Sequence, residues 1–390
     1  MCNWHSNISI MTYPTISHFI ESITGYFIPL PIQTFGLFIV LAFLFGRYFI
    51  YKELLRKKKL GHVHEIVIEE TKYGLKFIIS FIINSIISFC FGYKIIYLIS
   101  NYSSFSMHPQ LLILNNEGNY ITGIIFLLFY CLNYLLTQEK NKTRRTTTIN
   151  PEKLSWNLLF IAAISGIVGA KLFSVLENFN YFIQDPISTI FSFSGLTFYG
   201  GLIFGTICVT IYAKINRISF FHLADIFAPS LLLSYGIGRL GCHFSGDGDW
   251  GIVSNMSNKP FYVPDWFWGY KFPHNVIEAG ERIEGCVGKY CYQLTQEVYP
   301  TSLYEALFGI IGFLFLWRLR KKIIEPGVLF LIYLIINGFE RFTIESIRVT
   351  EKYQVFIFQL TQAQIIAIII TFLGLIGILL IRNRQKHESI

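Results

Sequence analysis

Charge is what this chain has least of. Only 14% of its 390 residues are Asp, Glu, Lys or Arg, against 53% hydrophobic and 17% aromatic, and the mean hydropathy is +0.49. A soluble globule carries about 25% charged residues, so that class is excluded and a polytopic membrane protein is expected. Metal-ligand cysteine spacing is also absent. Of Cys2, Cys90, Cys131, Cys208, Cys242, Cys286 and Cys291, three (Cys90, Cys131 and Cys208) sit inside apolar runs, where a thiol behaves as a small hydrophobe. Cys286 and Cys291 flank Val-Gly-Lys-Tyr in a polar loop; they pair if that loop faces an oxidising compartment, although this spacing also occurs unpaired. There is no internal repeat and no matched pair of Gly/Pro-broken helices, which counts against a secondary transporter. The N-terminus has neither a basic n-region nor a small-residue cleavage site, so no cleaved signal peptide is expected. The net charge of +8 does not point to nucleic acid, because the basic residues lie in short clusters between apolar runs.

What is abundant is apolar sequence in membrane-length runs. Nine windows are long enough or nearly so, at 28–50, 75–99, 120–137, 156–177, 195–214, 222–241, 303–319, 326–346 and 362–381. Their connections alternate. Residues 47–59, 140–153, 214–217, 318–322 and 382–386 are basic, whereas 1–27, 101–119 and 178–194 contain no Lys or Arg and 243–302 holds only a few. The positive-inside rule then puts the N-terminus outside and the C-terminus in the cytoplasm. The chain reads as one all-α membrane domain over 1–390, with about nine transmembrane helices and a small extracytoplasmic head at 243–302.

Against this background the few ionisable residues in apolar runs stand out. Asn337, Arg341, Glu345 and Arg348 recur at i, i+4, i+8 and i+11, one face of a helix. Arg239 ends another apolar run and opens the glycine-rich acidic loop Gly241–Gly251. With Lys171, Tyr199, Gly200, Gly201, Tyr304 and Glu305, these residues fall at one depth, the outer headgroup level, if the helices run as the charge alternation dictates. A single arginine there would snorkel to the interface; two, with carboxylates at matching depth, indicate a functional site. Arginine's planar fork holds phosphate oxygens in pairs, so the expected ligand is an anionic lipid headgroup.

Four fragments resemble the prolipoprotein diacylglyceryl transferase family of bacteria over about 28–381: Gly238-Arg239-Leu-Gly241 with Gly-Asp-Gly-Asp-Trp-Gly251, Pro300-Thr-Ser-Leu-Tyr304-Glu305, Gly338-x-x-Arg341-Phe-x-x-Glu345-x-x-Arg348, and Ser194-Gly-Leu-Thr-Phe-Tyr199-Gly-Gly201. The resemblance implies a multi-pass enzyme of the bacterial inner membrane, its site facing the outer leaflet. It would move the diacylglyceryl group of phosphatidylglycerol to the lipobox cysteine of a prolipoprotein signal peptide, releasing glycerol phosphate. No metal or organic cofactor is implied. Arg239 and Arg341 would hold the phosphate, supported by Glu345 and Arg348.

Departures from the family accompany the match. Tyr199-Gly-Gly stands where the family has His-Gly-Gly, so the histidine often proposed to take the thiol proton is missing. His243 aligns with the family's usual Asn, and Asp247 and Asp249 straddle its usual Glu. Members commonly have seven membrane helices, which makes 75–137 an inserted helical pair. Arg239 and Arg341 are the principal catalytic candidates; Tyr199 and His243 are further candidates for proton transfer, against anchoring and hydrogen-bonding roles. Asp247 and Asp249 lack the clustered ligands of a metal site. A lipid or small-molecule transporter is the rival reading, and it expects ionisable groups at the midplane.

Overall fold

The computed structural model describes residues 12–70, 75–107, 109–140, 145–191, 196–286, 288–355 and 357–388. Each of the nine apolar windows forms a helix: α1 Thr34–Lys59, α2 Leu75–Ser100, α3 Tyr120–Lys140, α4 Pro151–Glu177, α5 Phe198–Ile215, α6 Phe220–Ser245, α7 Thr301–Leu319, α8 Val328–Glu345 and α9 Gln362–Glu388. Among the described residues seven of these are long and apolar enough to cross a membrane. The two that fall short have identifiable reasons. The apolar stretch of α3 is brief, Tyr120–Leu136. α8 carries Glu340, Arg341 and Glu345 within its 18 residues. Large side chains such as Ile83, Ile164, Ile203 and Leu380 are exposed along the helices, as a lipid-facing surface requires.

Contacts at both ends fix the helix directions. α1 lies antiparallel to α6, Gly46 meeting Ser234 and Lys57 lying 3.8 Å from Asp225. α8 runs parallel to α6: Asp225 accepts the Gly327 and Phe330 amides at 2.9 and 3.0 Å, capping the N-terminus of α8, while Tyr235 meets Glu340 further along. Two small-residue contacts bring α7 tight against α6. A Cβ on Gly236 would lie 2.9 Å from the Ala306 carbonyl, and one on Gly309 would lie 2.9 Å from that of Leu232. This close approach sets Glu305 beside Arg239.

A buried polar network closes the end of the bundle remote from Arg239. Glu53 is fully buried and accepts Arg56 Nε at 2.9 Å and Arg320 Nε at 2.9 Å, and the Arg320 guanidinium stacks on Trp317 at 3.3 Å. Asp225 and Arg239 are separated by 14 residues of one helix, about 21 Å at 1.5 Å per residue. The two ionic clusters therefore occupy opposite ends.

α2 and α3 pack on each other, Gly92 against Thr122 and Phe126, Phe81 against Tyr134. Strand Ile66–Glu70 pairs antiparallel with Arg145–Ile149, so the pair leaves and re-enters the bundle at the same end. Among its described links to the main bundle is the Tyr102 hydroxyl, which donates to the Pro29 carbonyl at 2.6 Å.

Residues 246–300 form the small head. Gly246 ends α6 in the left-handed region (φ 62°), and its Cα packs where a Cβ would strike Asn275 at 2.8 Å, so glycine is required there. Asn275, fully buried, donates to the carbonyls of Phe272, Ala279 and Tyr292 at 3.0–3.2 Å and ties the loop together. Tyr270, Phe272 and Val298 form its core with Trp250, Trp266 and Leu294. Cys286 and Cys291 are joined in a disulfide, which settles the pairing that the spacing left open. Cys2 lies outside the described residues.

Candidate phosphate site at the end of the bundle

Arg239 reaches the mouth of the bundle because α6 continues past it to Ser245, and Arg341 and Arg348 come from the end of α8 and the turn beyond. The glycine-rich loop closes over them. Gly251 forms a bridge to Arg348, and the Ile252 amide donates to the Ile347 carbonyl at 2.8 Å. A side chain on Gly251 would meet that carbonyl at 2.6 Å. Thr301 Oγ1 donates to the Asp249 carbonyl at 3.1 Å, fixing the loop to the start of α7.

The result is one chain of ion pairs. Glu305, fully buried, is its hub. Its Oε1 accepts Arg341 Nη1 at 3.4 Å and lies 3.5 Å from Arg348 Nη1, and its Oε2 lies 3.2 Å from Arg239 Nε. Asp249 accepts one N–H from Arg239 and one from Arg348. Arg341 Nη2 lies 3.4 Å from Glu345 Oε2 without aiming a hydrogen bond at it. Three guanidiniums thus share three carboxylates. Arg341 is the most open of the three, with its side chain 32% exposed against 17% for Arg239 and 12% for Arg348, and neither of its carboxylate contacts is closer than 3.4 Å. A guanidinium has five donors, so Arg341 retains N–H groups for an incoming anion. Guanidiniums arranged in this way can hold a phosphate and stabilise charge that builds on it.

The sequence model described as prolipoprotein diacylglyceryl transferase matches residues 119–380, about two thirds of the chain. The chain belongs to this family. A Staphylococcus haemolyticus protein named phosphatidylglycerol–prolipoprotein diacylglyceryl transferase is 29% identical over 267 residues, 68% of this chain and 84% of its own length. A protein of the same name from Clostridium botulinum strain Langeland is 33% identical over 233 residues, 59% of this chain and 82% of its own length.

Among the residues singled out from the sequence, the structure joins Arg239, Glu305, Arg341, Glu345 and Arg348 directly. The other candidates sit elsewhere on this diacylglyceryl transferase scaffold. Tyr304 donates to the Phe267 carbonyl and its ring lies tilted against that of Phe267, centroids 5.0 Å apart, linking α7 to the head. Gly200 and Gly201 let α5 press against α4: a Cβ on Gly200 would meet the Gly169 carbonyl at 2.5 Å, and one on Gly201 that of Gly166 at 2.9 Å. Tyr199, 40% exposed, begins α5 with its ring against Phe198, and Lys171 is half-buried on α4. His243 is 1% exposed, enclosed by the rings of Phe244, Tyr270 and Phe272.

Three participants were not singled out as site residues from the sequence. Asp249 was noted only as part of the acidic loop, and its hold on two arginines depends on the Gly251–Arg348 bridge, which no local pattern encodes. Tyr235 lies one turn deeper than Arg239 on α6, and Glu340 directly precedes Arg341 on α8; Glu340 points about 100° around α8 from the Arg341 face, outside the spacing that marks that face. Cys242, Asp247 and Asp249 have ligand atoms within 4.8 Å of one another. The two guanidiniums on Asp249 would compete with any metal ion there. Burial also pushes the Asp247 carboxyl above the usual range, with like charge from Asp249 a smaller contribution.

Proposed function

We propose that the chain transfers the diacylglyceryl group of phosphatidylglycerol to the lipobox cysteine thiol of prolipoproteins, the first step of lipoprotein maturation. The observation that carries this reading is the cluster Arg239–Arg341–Arg348 at one end of a family-matched membrane bundle, with Arg341 partly open. In it, Arg341 and Arg239 grip the lipid phosphate, Arg348 with Asp249 and Glu305 holds them in place, and Glu345 orients Arg341. The substrate thiolate attacks the glyceryl CH2; the C–O bond to phosphate breaks, and the arginines take up the charge gained by the departing glycerol phosphate. Loss of one such contact raises a barrier by about 3 kcal/mol.

The finer topology belongs to the same proposal. All nine helices cross, α8 included, with its charged end in the outer headgroup region, the head outside and both ends of the α2–α3 insertion in the cytoplasm. The pairing of Ile66–Glu70 with Arg145–Ile149 supports an even insertion, and the Cys286–Cys291 disulfide supports a head in an oxidising compartment. The membrane is the bacterial inner membrane, and the site opens to its outer leaflet. Tyr199, Gly200, Gly201, Lys171 and Tyr304 shape the lipid entry, and His243 packs the head. The rival transporter reading is disfavoured because the ionic groups gather at the two ends of the bundle.

The test is purified protein incubated with phosphatidylglycerol and a lipobox peptide. A peptide mass gain equal to one diacylglyceryl group is expected; no gain under conditions where the protein stays folded would refute the reading.

A further inference from the structure

The ionic cluster accounts for the phosphate but leaves the thiol proton without an acceptor. Glu305, Glu345 and Asp249 are each occupied by arginine. A fourth carboxylate is not. Glu340 is 2% exposed, and among the described residues no Lys, Arg or His nitrogen lies within ion-pair distance of it. The Tyr235 hydroxyl donates to its Oε1 at 3.1 Å. Tyr235 is half-buried, and its ring centroid is 5.2 Å from Arg239 Cζ. The order in space is therefore phosphate-binding guanidinium, tyrosine, carboxylate.

Resting on the transferase reading above, we infer that Tyr235 and Glu340 together form the proton acceptor for the substrate thiol. The thiol S–H donates to Tyr235 Oη as the tyrosine proton passes to Glu340 Oε1; the thiolate then displaces phosphate from the glyceryl carbon. The proton ends on Glu340 and is returned to the departing glycerol phosphate or to water, so charge and atoms balance. This places the acceptor one turn below Arg239 on α6 and beside Arg341 on α8, next to the bond that breaks. His243 lacks such a position, enclosed by the rings of Phe244 on α6 and of Tyr270 and Phe272 in the head.

The groups that act on Glu340 are Tyr235 and Arg239 from α6, Glu305 from α7, and Tyr333 and Arg341 from α8 itself. At the neighbouring Gly338 level the nearest α9 atoms belong to Ala367, Ile370 and Thr371.

The experiment uses the full-length protein with phosphatidylglycerol and a lipobox peptide, comparing Glu340→Gln, Glu340→Asp and Tyr235→Phe with wild type from pH 7 to pH 9.5. A proton acceptor contributes ~10²-fold or more. Glu340→Gln, which can still accept the Tyr235 hydrogen bond, is expected to lose ~10²-fold in kcat at pH 7 with KM for the lipid within about twofold. The deficit should shrink as pH passes the free thiol's own pKa of about 8.5, because solution then supplies the thiolate. Tyr235→Phe should follow the same pH course, and Glu340→Asp should recover part of the rate.

A deficit that stays constant with pH marks a packing role and overturns the inference, as does a Glu340→Gln rate within about threefold of wild type. Should Glu340→Gln fail to fold, the Tyr235→Phe pH course decides alone. If wild type itself transfers nothing, the transferase reading falls first; if wild type transfers and the variants behave like it, only the proton acceptor falls.

Discussion

Replacing the hub of the ionic cluster is the most demanding perturbation the structure suggests. Glu305→Gln keeps the size of the side chain but removes the one carboxylate that faces all three arginines, at 3.2 Å, 3.4 Å and 3.5 Å. Three guanidiniums would then share Asp249 and Glu345 alone. At an effective dielectric of about 20, two unit charges ~4 Å apart attract by about 4 kcal/mol, and removing one partner of a buried pair costs ~3–5 kcal/mol. Because Arg341 is partly open to solvent, the lower figure applies, about 3 kcal/mol. At ~2–4 °C per kcal/mol that is a fall of roughly 6–12 °C in Tm, measured in detergent. Added phosphatidylglycerol should raise the Tm of the variant more than that of wild type, because the lipid phosphate replaces the lost negative charge. Glu345→Gln, which removes a single contact to Arg341, should shift Tm far less. A Glu305→Gln protein that melts within 1–2 °C of wild type and gains nothing extra from the lipid would refute the hub.

Arg341→Lys and Arg239→Lys are each expected to lose most transferase activity while staying folded, since a point charge cannot reproduce the planar fork; near-normal turnover of Arg341→Lys would contradict phosphate gripping. Single-cysteine labelling in a background lacking the native cysteines should find position 145 protected from outside in intact cells and position 262, in the head loop, labelled. His18, at the foot of the head, is held down to about 4 by burial, with a smaller push from His274. A lowered folded-state value means that the packing of helix Ile16–Thr24 is fully stable above pH ~6.5 and weakens as pH falls toward 4, by at most ~3 kcal/mol, because the unfolded chain binds the proton more readily; a Tm profile flat from pH 7 to 4.5 would contradict this. His243→Ala should lower stability by ~2–4 kcal/mol through a cavity among Phe244, Tyr270 and Phe272, and its rate defect should not vary with pH.

The nine helices were legible because each is a run of apolar residues, a property of the chain alone. Their fitness to span is less uniform, since α8 carries the very charges that form the site. The Arg341–Glu345–Arg348 face was legible for the same reason: helical spacing puts these residues in line. Arg239 stood out as a charge at the end of an apolar run. What could not be read was pairing across elements. Glu305 as a hub depends on the glycine contacts that pull α7 onto α6, and Asp249 depends on a loop crossing back to Arg348. Glu340 sat in plain view beside Arg341, but an argument by helix face discards the neighbour that points away, and its partner Tyr235 belongs to another helix. His243 looked available in a glycine-rich loop. It is instead the last turn of α6, buried where the head folds down on it. The spacing of Cys286 and Cys291 permits a bond without requiring one, because the geometry of the loop between them decides.

The central claim, that the arginine cluster drives exchange of a lipid phosphate for a thiol, is tested most directly by following both products at once. Phosphatidylglycerol labelled in its headgroup glycerol, purified protein and a lipobox peptide are combined, and released glycerol phosphate and modified peptide are counted together. One glycerol phosphate for each diacylglyceryl-modified peptide is predicted for wild type, with both falling in parallel in Arg341→Lys. Lipid moved with its headgroup intact, or glycerol phosphate released without a gain in peptide mass, would contradict the account.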